Sequence, residues 1–176
     1  RTITHVRLTG RLADVIYSME ATNTDYYAYQ FKPVLKALHS PSNGILIADE
    51  VGLGKTIEAG LIWTELRSRF DMRRLLVLCP AILREKWRFE LESKMGVRAE
   101  IVGTGEALET LTDPNSASRG FAMIASIQGL RPTRNWNDPE QNQSNVAELA
   151  RFLVEKENED RLIDLLIVDE AHYMRN

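Results

Sequence analysis

The chain has 176 residues, 44% of them hydrophobic and 27% charged, with a formal net charge of −3. That is the balance of one well-buried globular domain; it excludes a disordered polyelectrolyte and gives no global basic footprint for nucleic acid. A single cysteine, Cys79, excludes an internal disulfide and a Cys-based metal cluster, and no apolar run approaches the ~18 residues of a membrane span. In chain order, "DYYAYQFKPVLKALHS" reads as a loop entering a short helix, with Pro33 near its first turn. "GILIAD" (Gly44–Asp49) follows as an apolar strand, then a glycine turn, then a helix in which Ile57, Leu61, Ile62 and Leu66 share a stripe. "LLVLCP" (Leu75–Pro80) is the next strand, and Leu83, Trp87 and Leu91 mark the helix after it. A weaker strand, "AEIVG" (Ala99–Gly103), precedes an exposed segment "LTDPNSASRG" and the strand "FAMIAS" (Phe121–Ser126). The polar run "RPTRNWNDPEQNQSN" (Arg131–Asn145) reads as an exposed loop, Val146, Leu149, Phe152 and Leu153 as a helix, and "DLLIVDE" (Asp164–Glu170) as the last strand. The strands are continuous rather than alternating, as strands buried on both faces are, and they alternate with helices. The pattern predicts an α/β domain with a mainly parallel sheet and helices on both faces.

Two stretches carry chemistry. In "LIADEVGLGKTIEAG" a strand feeds a glycine turn that opens a helix with Lys-Thr at its start. Gly52 and Gly54 permit the backbone angles that turn successive N–H groups inward as an anion nest, and the helix points its positive end at the same spot. Lys55 is placed to reach the β- and γ-phosphates of a nucleotide, and the Thr56 hydroxyl to bind Mg²⁺. A strict phosphate-loop consensus has Gly at position 49, where this chain has Asp49. In "LLIVDEAH" (Leu165–His172) an apolar strand delivers two acids to its carboxyl end, where parallel sheets gather ligands. Asp169 is expected to hold Mg²⁺ through water and Glu170 to orient or activate the attacking water. The second stretch alone is common turn chemistry; paired with the first it is a nucleotide-hydrolysis constellation.

Taken together, "ADEVGLGKT" resembles motif I of the Swi/Snf-type ATPases of helicase superfamily 2, in which Asp-Glu precedes a Gly-Leu-Gly-Lys-Thr core. Asp49 therefore narrows the family rather than spoiling the loop. The added "IEAG" (Ile57–Gly60) is similar to the bacterial branch that includes the RNA-polymerase-recycling ATPase. "LLVLCPAILREKW" resembles motif Ia, "IASIQGL" motif Ib, "VDEAH" motif II, and "YQFKPVLKAL" the upstream glutamine motif. The resemblance implies a RecA-like P-loop lobe that binds ATP with Mg²⁺, the nucleotide lying on Asp49, Glu50, Val51, Gly52, Leu53, Gly54, Lys55 and Thr56. It implies that Gln30 reads the adenine edge and that His172 couples the γ-phosphate site to neighbouring motifs. It also implies nucleic-acid contact around Pro80, Ala81 and Ser126, with Arg84 beside them. His at 172 argues against the DEAD-box RNA helicases. Residues 1–40 form an N-terminal segment holding the glutamine motif, and residues 41–176 the first, incomplete lobe.

The remaining signals are softer. Seven basic residues lie between Arg67 and Arg88. Arg67, Arg69, Arg73 and Arg74 precede a strand, so they belong at the end of the sheet away from the nucleotide; Arg84, Lys86 and Arg88 follow it and are able to face a phosphate backbone. Trp63, Trp87 and Cys79 read as core, and Trp136 as exposed or pinned by a partner. The sequence begins at Arg1 without a signal-peptide pattern, which reads as a piece of a longer protein, cytoplasmic in setting. Similar ATPases place a further strand after motif II and a second RecA-like lobe whose arginines complete the site. Without them the piece is expected to bind nucleotide weakly and turn it over poorly, and either its sheet rearranges or a swapped strand from another chain fills the gap. The intact parent is expected to couple ATP hydrolysis to movement on double-stranded DNA. The alternatives are a strand-separating DNA or RNA helicase, a nucleotide-dependent switch or scaffold with negligible turnover, and a subunit of a restriction or defence complex.

Overall fold

A computed structural model describes residues 27–40, 44–48, 54–157 and 161–174. The chain divides into two compact units, one comprising the residues up to Met72 together with Glu90–Val97, the other Arg73–Phe89 and the residues from Arg98 onward.

The first unit opens with a 3-10 turn, Ala28–Phe31, that runs into α1 (Lys32–His39). Pro33 sits in the first turn of α1, where a missing N–H costs nothing and a fixed φ already suits the helix. The helix α2 (Lys55–Phe70) begins at Gly54 and ends at Asp71, both in the left-handed conformation. Every residue from Glu58 to Glu65 is buried, so α2 is a central helix rather than a surface one. Of its two buried acids, Glu65 pairs with Arg69 one turn on. Gly60 lets the end of a later helix come close, since a Cβ there would lie 2.5 Å from Met95 Cε. Phe31, Val34, Leu61, Trp63 and Leu91 complete the core of this unit.

The second unit is built on four parallel strands in the order β2-β3-β1-β4. These are β1 (Arg74–Cys79), β2 (Glu100–Ile101), β3 (Phe121–Ser126) and β4 (Leu165–Val168). The helix α3 (Arg84–Met95) follows β1 through a 3-10 turn, Ala81–Leu83, and runs from the second unit into the first. After β2 come α4 (Thr104–Thr112) and the single turn α5 (Ser116–Arg119), and before β4 comes α6 (Asn145–Glu155), capped by Ser144 Oγ accepting from Ala147 N–H. One face of the sheet presents Leu76, Met123 and Ala125 to Ala107 and Leu111 of α4 and Leu149 of α6. On the other face Leu75, Val77 and Cys79 are fully buried, which is why β1 reads as a continuous apolar run. At the amino end, Asp164 accepts from the N–H groups of Arg73 and Arg74 at 2.9 and 2.8 Å, and its Oδ1 takes Arg74 Nη2 at 2.7 Å. This carboxylate fastens the starts of β1 and β4 together.

The parallel α/β sheet with interleaved helices is the one the sequence predicts, with two corrections. Gly44–Asp49 is not a strand over its described residues: 44–48 are irregular, and Leu46 is 86% exposed. An apolar run becomes a strand only with a neighbour to take its N–H and C=O groups, and residues 44–48 carry no strand assignment. The segment "LTDPNSASRG" is not all loop, because Ser116–Arg119 closes a helical turn within it. Asp49, Glu50, Val51, Gly52 and Leu53 lie outside the described residues, as does most of the N-terminal segment. Among the described residues no helix is long and apolar enough to cross a membrane.

Candidate nucleotide and nucleic-acid site

In the first unit, Gly54 caps the start of α2 with φ +94°, a conformation in which any side chain is strained. Lys55 and Thr56 form the first turn and are partly exposed. The first N–H groups of a 16-residue helix have no carbonyl within the helix to bond, and its dipole favours an anion there. Gln30 is brought to this place: it is buried, and its Nε2 lies 2.8 Å from where a Cβ on Gly54 would stand. Its Oε1 accepts from the Tyr27 N–H at 3.0 Å, so the amide is fixed rather than free to turn. The sequence leaves open which tyrosine accompanies Gln30; here Tyr27 and Tyr29 stack on each other, ring centroids 5.6 Å apart. Tyr29 also lines a cavity of about 310 Å³ with Lys32, Lys36 and residues 45–48, which none of Gly54, Lys55 or Thr56 touches.

In the second unit, three candidate segments meet at one edge of the sheet. Strand registers pair Cys79 with Ser126 and Leu78 with Val168, so Pro80–Ala81, Ser126 and Asp169 all leave the sheet at its carboxyl end. Parallel sheets collect ligands at that end. Pro80 is buried and Ala81 exposed, while Arg84 folds back to donate from Nε to Ala81 O at 3.2 Å. Ser126 Oγ donates to Gln128 Oε1 and accepts from Gly129 N–H, both at 3.1 Å, which pins the turn after β3.

Asp169 is held twice. Its N–H donates to Leu78 O at 2.8 Å, and its Oδ2 accepts from the Trp87 indole Nε1 at 2.9 Å. Trp87 is 2% exposed, which matches its reading as core, but the hydrogen bond is a role that reading missed. The only sequence signal for it is a large donor-bearing ring on the helix that follows β1. Glu170 adopts a left-handed φ of 53°, and its carboxylate pairs with His172 Nδ1 at 3.1 Å at the surface. Cys79, fully buried below these acids, has its thiol pushed up to about 11 by burial and by the Asp169 charge.

Three of the basic residues at or ahead of the start of β1 are engaged by neighbours. Arg74 is engaged by Asp164 and Arg73 donates to Ser118 O, both at the amino end of the sheet, while Arg69 in the first unit is tied to Glu65. Arg88 pairs with Glu85 at 2.5 Å. The Asp164 carboxyl is displaced: burial works to raise it, but the Arg74 side chain and the two backbone N–H groups outweigh this and hold it below the usual range. Among the described residues no group of three or more His, Cys, Asp or Glu is able to hold a metal. The Thr56 hydroxyl in the first unit and the Asp169 carboxylate in the second are each a hard oxygen donor of the kind that suits Mg²⁺, which takes one or two protein ligands and fills its shell with water and phosphate.

Comparison with known proteins decides the family, since the SNF2-related domain matches residues 17–176. The chain belongs to the SNF2-related family. It is a Swi/Snf-type sequence of helicase superfamily 2, as motif I suggests. It is 31% identical over 131 residues to the RNA polymerase-associated protein RapA of Photobacterium profundum, covering 74% of this chain. It is 32% identical over 137 residues to RapA of Yersinia pestis (strain Pestoides F), covering 77%. The matched region spans 12% of the length of either relative. The SWI2/SNF2 ATPase core of Sulfolobus solfataricus, solved in complex with dsDNA, matches 89% of this chain and 28% of its own, with a TM-score of 0.55 and 18% identity. That likeness establishes the RecA-like fold of this SNF2-related chain.

Proposed function

We propose that this chain is the ATP-binding lobe of a DNA-dependent ATPase that couples hydrolysis to movement along double-stranded DNA. The observation that carries the reading is the meeting of Pro80–Ala81, Ser126 and Asp169–Glu170 at one carboxyl edge in a SNF2-related chain. It makes the residues assigned to a polynucleotide neighbours of the residues assigned to hydrolysis. That the solved SWI2/SNF2 core was in complex with dsDNA, and that the RapA relatives are RNA polymerase-associated, favours a translocase over a free-standing switch.

In this reading the N–H groups at the start of α2 and Lys55 receive the phosphates, and Gln30 presents its fixed amide to the base. Thr56 would offer its hydroxyl and Asp169 its carboxylate to Mg²⁺, which would neutralise charge on the phosphates. Glu170, kept in place by His172, accepts a proton from the attacking water or orients it. Pro80, Ala81, Arg84 and Ser126 meet the sugar-phosphate backbone, contacts that position without reading sequence. The second RecA-like lobe of the parent supplies the groups that complete the site.

The test of direction is mechanical. The full-length protein, given ATP, is expected to displace a third strand from a DNA triplex while leaving the underlying duplex annealed. Separation of the duplex strands would replace this reading with that of an unwinding helicase.

A further inference from the structure

We infer that Trp87 is a positioning residue for Asp169: its indole N–H holds one carboxylate oxygen, so that the other is aimed at the cation. The inference rests on the reading of Asp169 as the carboxylate that faces Mg²⁺.

Three observations carry it. The hydrogen bond joins a ring that is 2% exposed to a carboxylate at the surface end of a strand, at 2.9 Å. A buried ring cannot change rotamer without emptying its pocket, so the donor is fixed more firmly than any solvent-facing lysine or arginine would be. The Asp169 backbone is independently anchored by its N–H on Leu78 O at 2.8 Å, which leaves the side-chain torsions as the remaining freedom; the indole removes it. Finally, the donor is neutral. An arginine or lysine here would neutralise the carboxylate and compete with the cation, whereas an indole orients the charge and leaves it intact. A neutral donor is what a cation-binding acid needs from its supporting shell, and carboxylates that ligate metals are regularly held by such outer partners. The bond also assigns a purpose to the polar end of a residue whose bulk alone would satisfy the core.

The experiment measures binding rather than turnover. Affinity of the full-length protein for a non-hydrolysable ATP analogue is determined by calorimetry, once in excess EDTA and once in excess Mg²⁺. Three variants are compared with the parent: Trp87→Phe, Trp87 replaced by benzothienylalanine, and Asp169→Ala. Benzothienylalanine keeps the shape of the ring and puts sulfur where the N–H was, so it remains informative if Trp87→Phe fails to fold. The affinity gained on adding Mg²⁺ is expected to fall about 10- to 100-fold in both Trp87 variants, the usual consequence of losing a group that orients a metal ligand. The affinity in EDTA is expected to stay at the parent value, and Asp169→Ala to abolish the same gain. If the benzothienylalanine variant keeps the full Mg²⁺ gain while Asp169→Ala loses it, the positioning role is overturned and the reading of Asp169 stands. If Asp169→Ala keeps the gain, that reading fails and the role of Trp87 falls with it. If the benzothienylalanine variant weakens binding equally with and without Mg²⁺, Trp87 is packing alone.

Discussion

The contact between Gln30 and Gly54 joins two motifs that lie 24 positions apart, and Gly54→Ala tests it. An added methyl meets two penalties. Gly54 has φ +94°, and placing an L side chain in left-handed backbone costs about 1–2 kcal/mol. The new Cβ would also stand 2.8 Å from Gln30 Nε2. Gln30 is buried and tethered through Oε1 to the Tyr27 N–H, so it does not swing away freely, and overpacking of this kind costs about 1–3 kcal/mol. The expected total is about 3 kcal/mol. The two terms separate in a double-mutant cycle with Gln30→Ala, read by urea unfolding followed by circular dichroism. Removing the glutamine side chain relieves the clash and leaves the backbone term. The double variant is therefore expected to be more stable than the sum of the singles by about 1–2 kcal/mol. Additivity within about 0.5 kcal/mol would refute the contact, because residues that do not touch behave that way.

Three further outcomes follow from the same geometry. Asp164→Asn is expected to lower stability by about 2 kcal/mol at neutral pH, since it weakens charge-assisted bonds to Arg74 and two N–H groups. The folded carboxyl is depressed, so its contribution is complete above the ordinary value of 3.8 and drains away as pH falls from there through the lowered folded value. The gap between parent and variant in urea titrations is thus expected to be flat from pH 8 to about 5 and to close below about pH 4; a gap that widens in acid would contradict this. Cys79, with its thiol at about 11 against 9.0, is expected to react with a thiol reagent at pH 8 about a hundredfold more slowly than free cysteine until urea unfolds the chain. Labelling of the folded protein at the free-thiol rate would show that β1 is not buried as described. His172→Ala breaks a surface pair and is expected to change stability by no more than about 0.5 kcal/mol while lowering ATP turnover in the full-length protein. A loss of several kcal/mol in urea titration would make His172 structural.

What the sequence reveals and what it hides divide along physical lines. Phe121–Ser126 is recoverable to the residue because a strand buried on both faces is a continuous apolar run bounded by turn residues. The helix start at Lys55 is recoverable because glycine and the Lys-Thr pair mark it. Gly44–Ala48 carries the same apolar signal as the true strands, yet strand formation depends on a neighbour, and a neighbour is not a local property. The helix α4 escapes the sequence reading because it is nine residues long and three of them are Thr. Its signal is Glu106, whose carboxylate takes the Gly103 N–H at 2.7 Å as a cap, with Ala107 and Leu111 on the buried side. The bond from Trp87 to Asp169 spans 82 positions, and nothing in either residue's surroundings along the chain announces the other. Gln30 is the intermediate case: its place before the loop suggests a shared site, and the close approach to Gly54 is visible only in three dimensions.

The central claim, that this lobe serves ATP hydrolysis driven by duplex DNA, is tested most directly by the ATPase rate of the full-length protein. The rate is measured with no nucleic acid, single-stranded DNA, double-stranded DNA and RNA, beside the variants Lys55→Ala and Glu170→Gln. The account predicts strong stimulation by duplex DNA that both substitutions abolish. A rate near zero under all four conditions, together with tight ATP binding, would contradict it and leave a nucleotide-dependent switch.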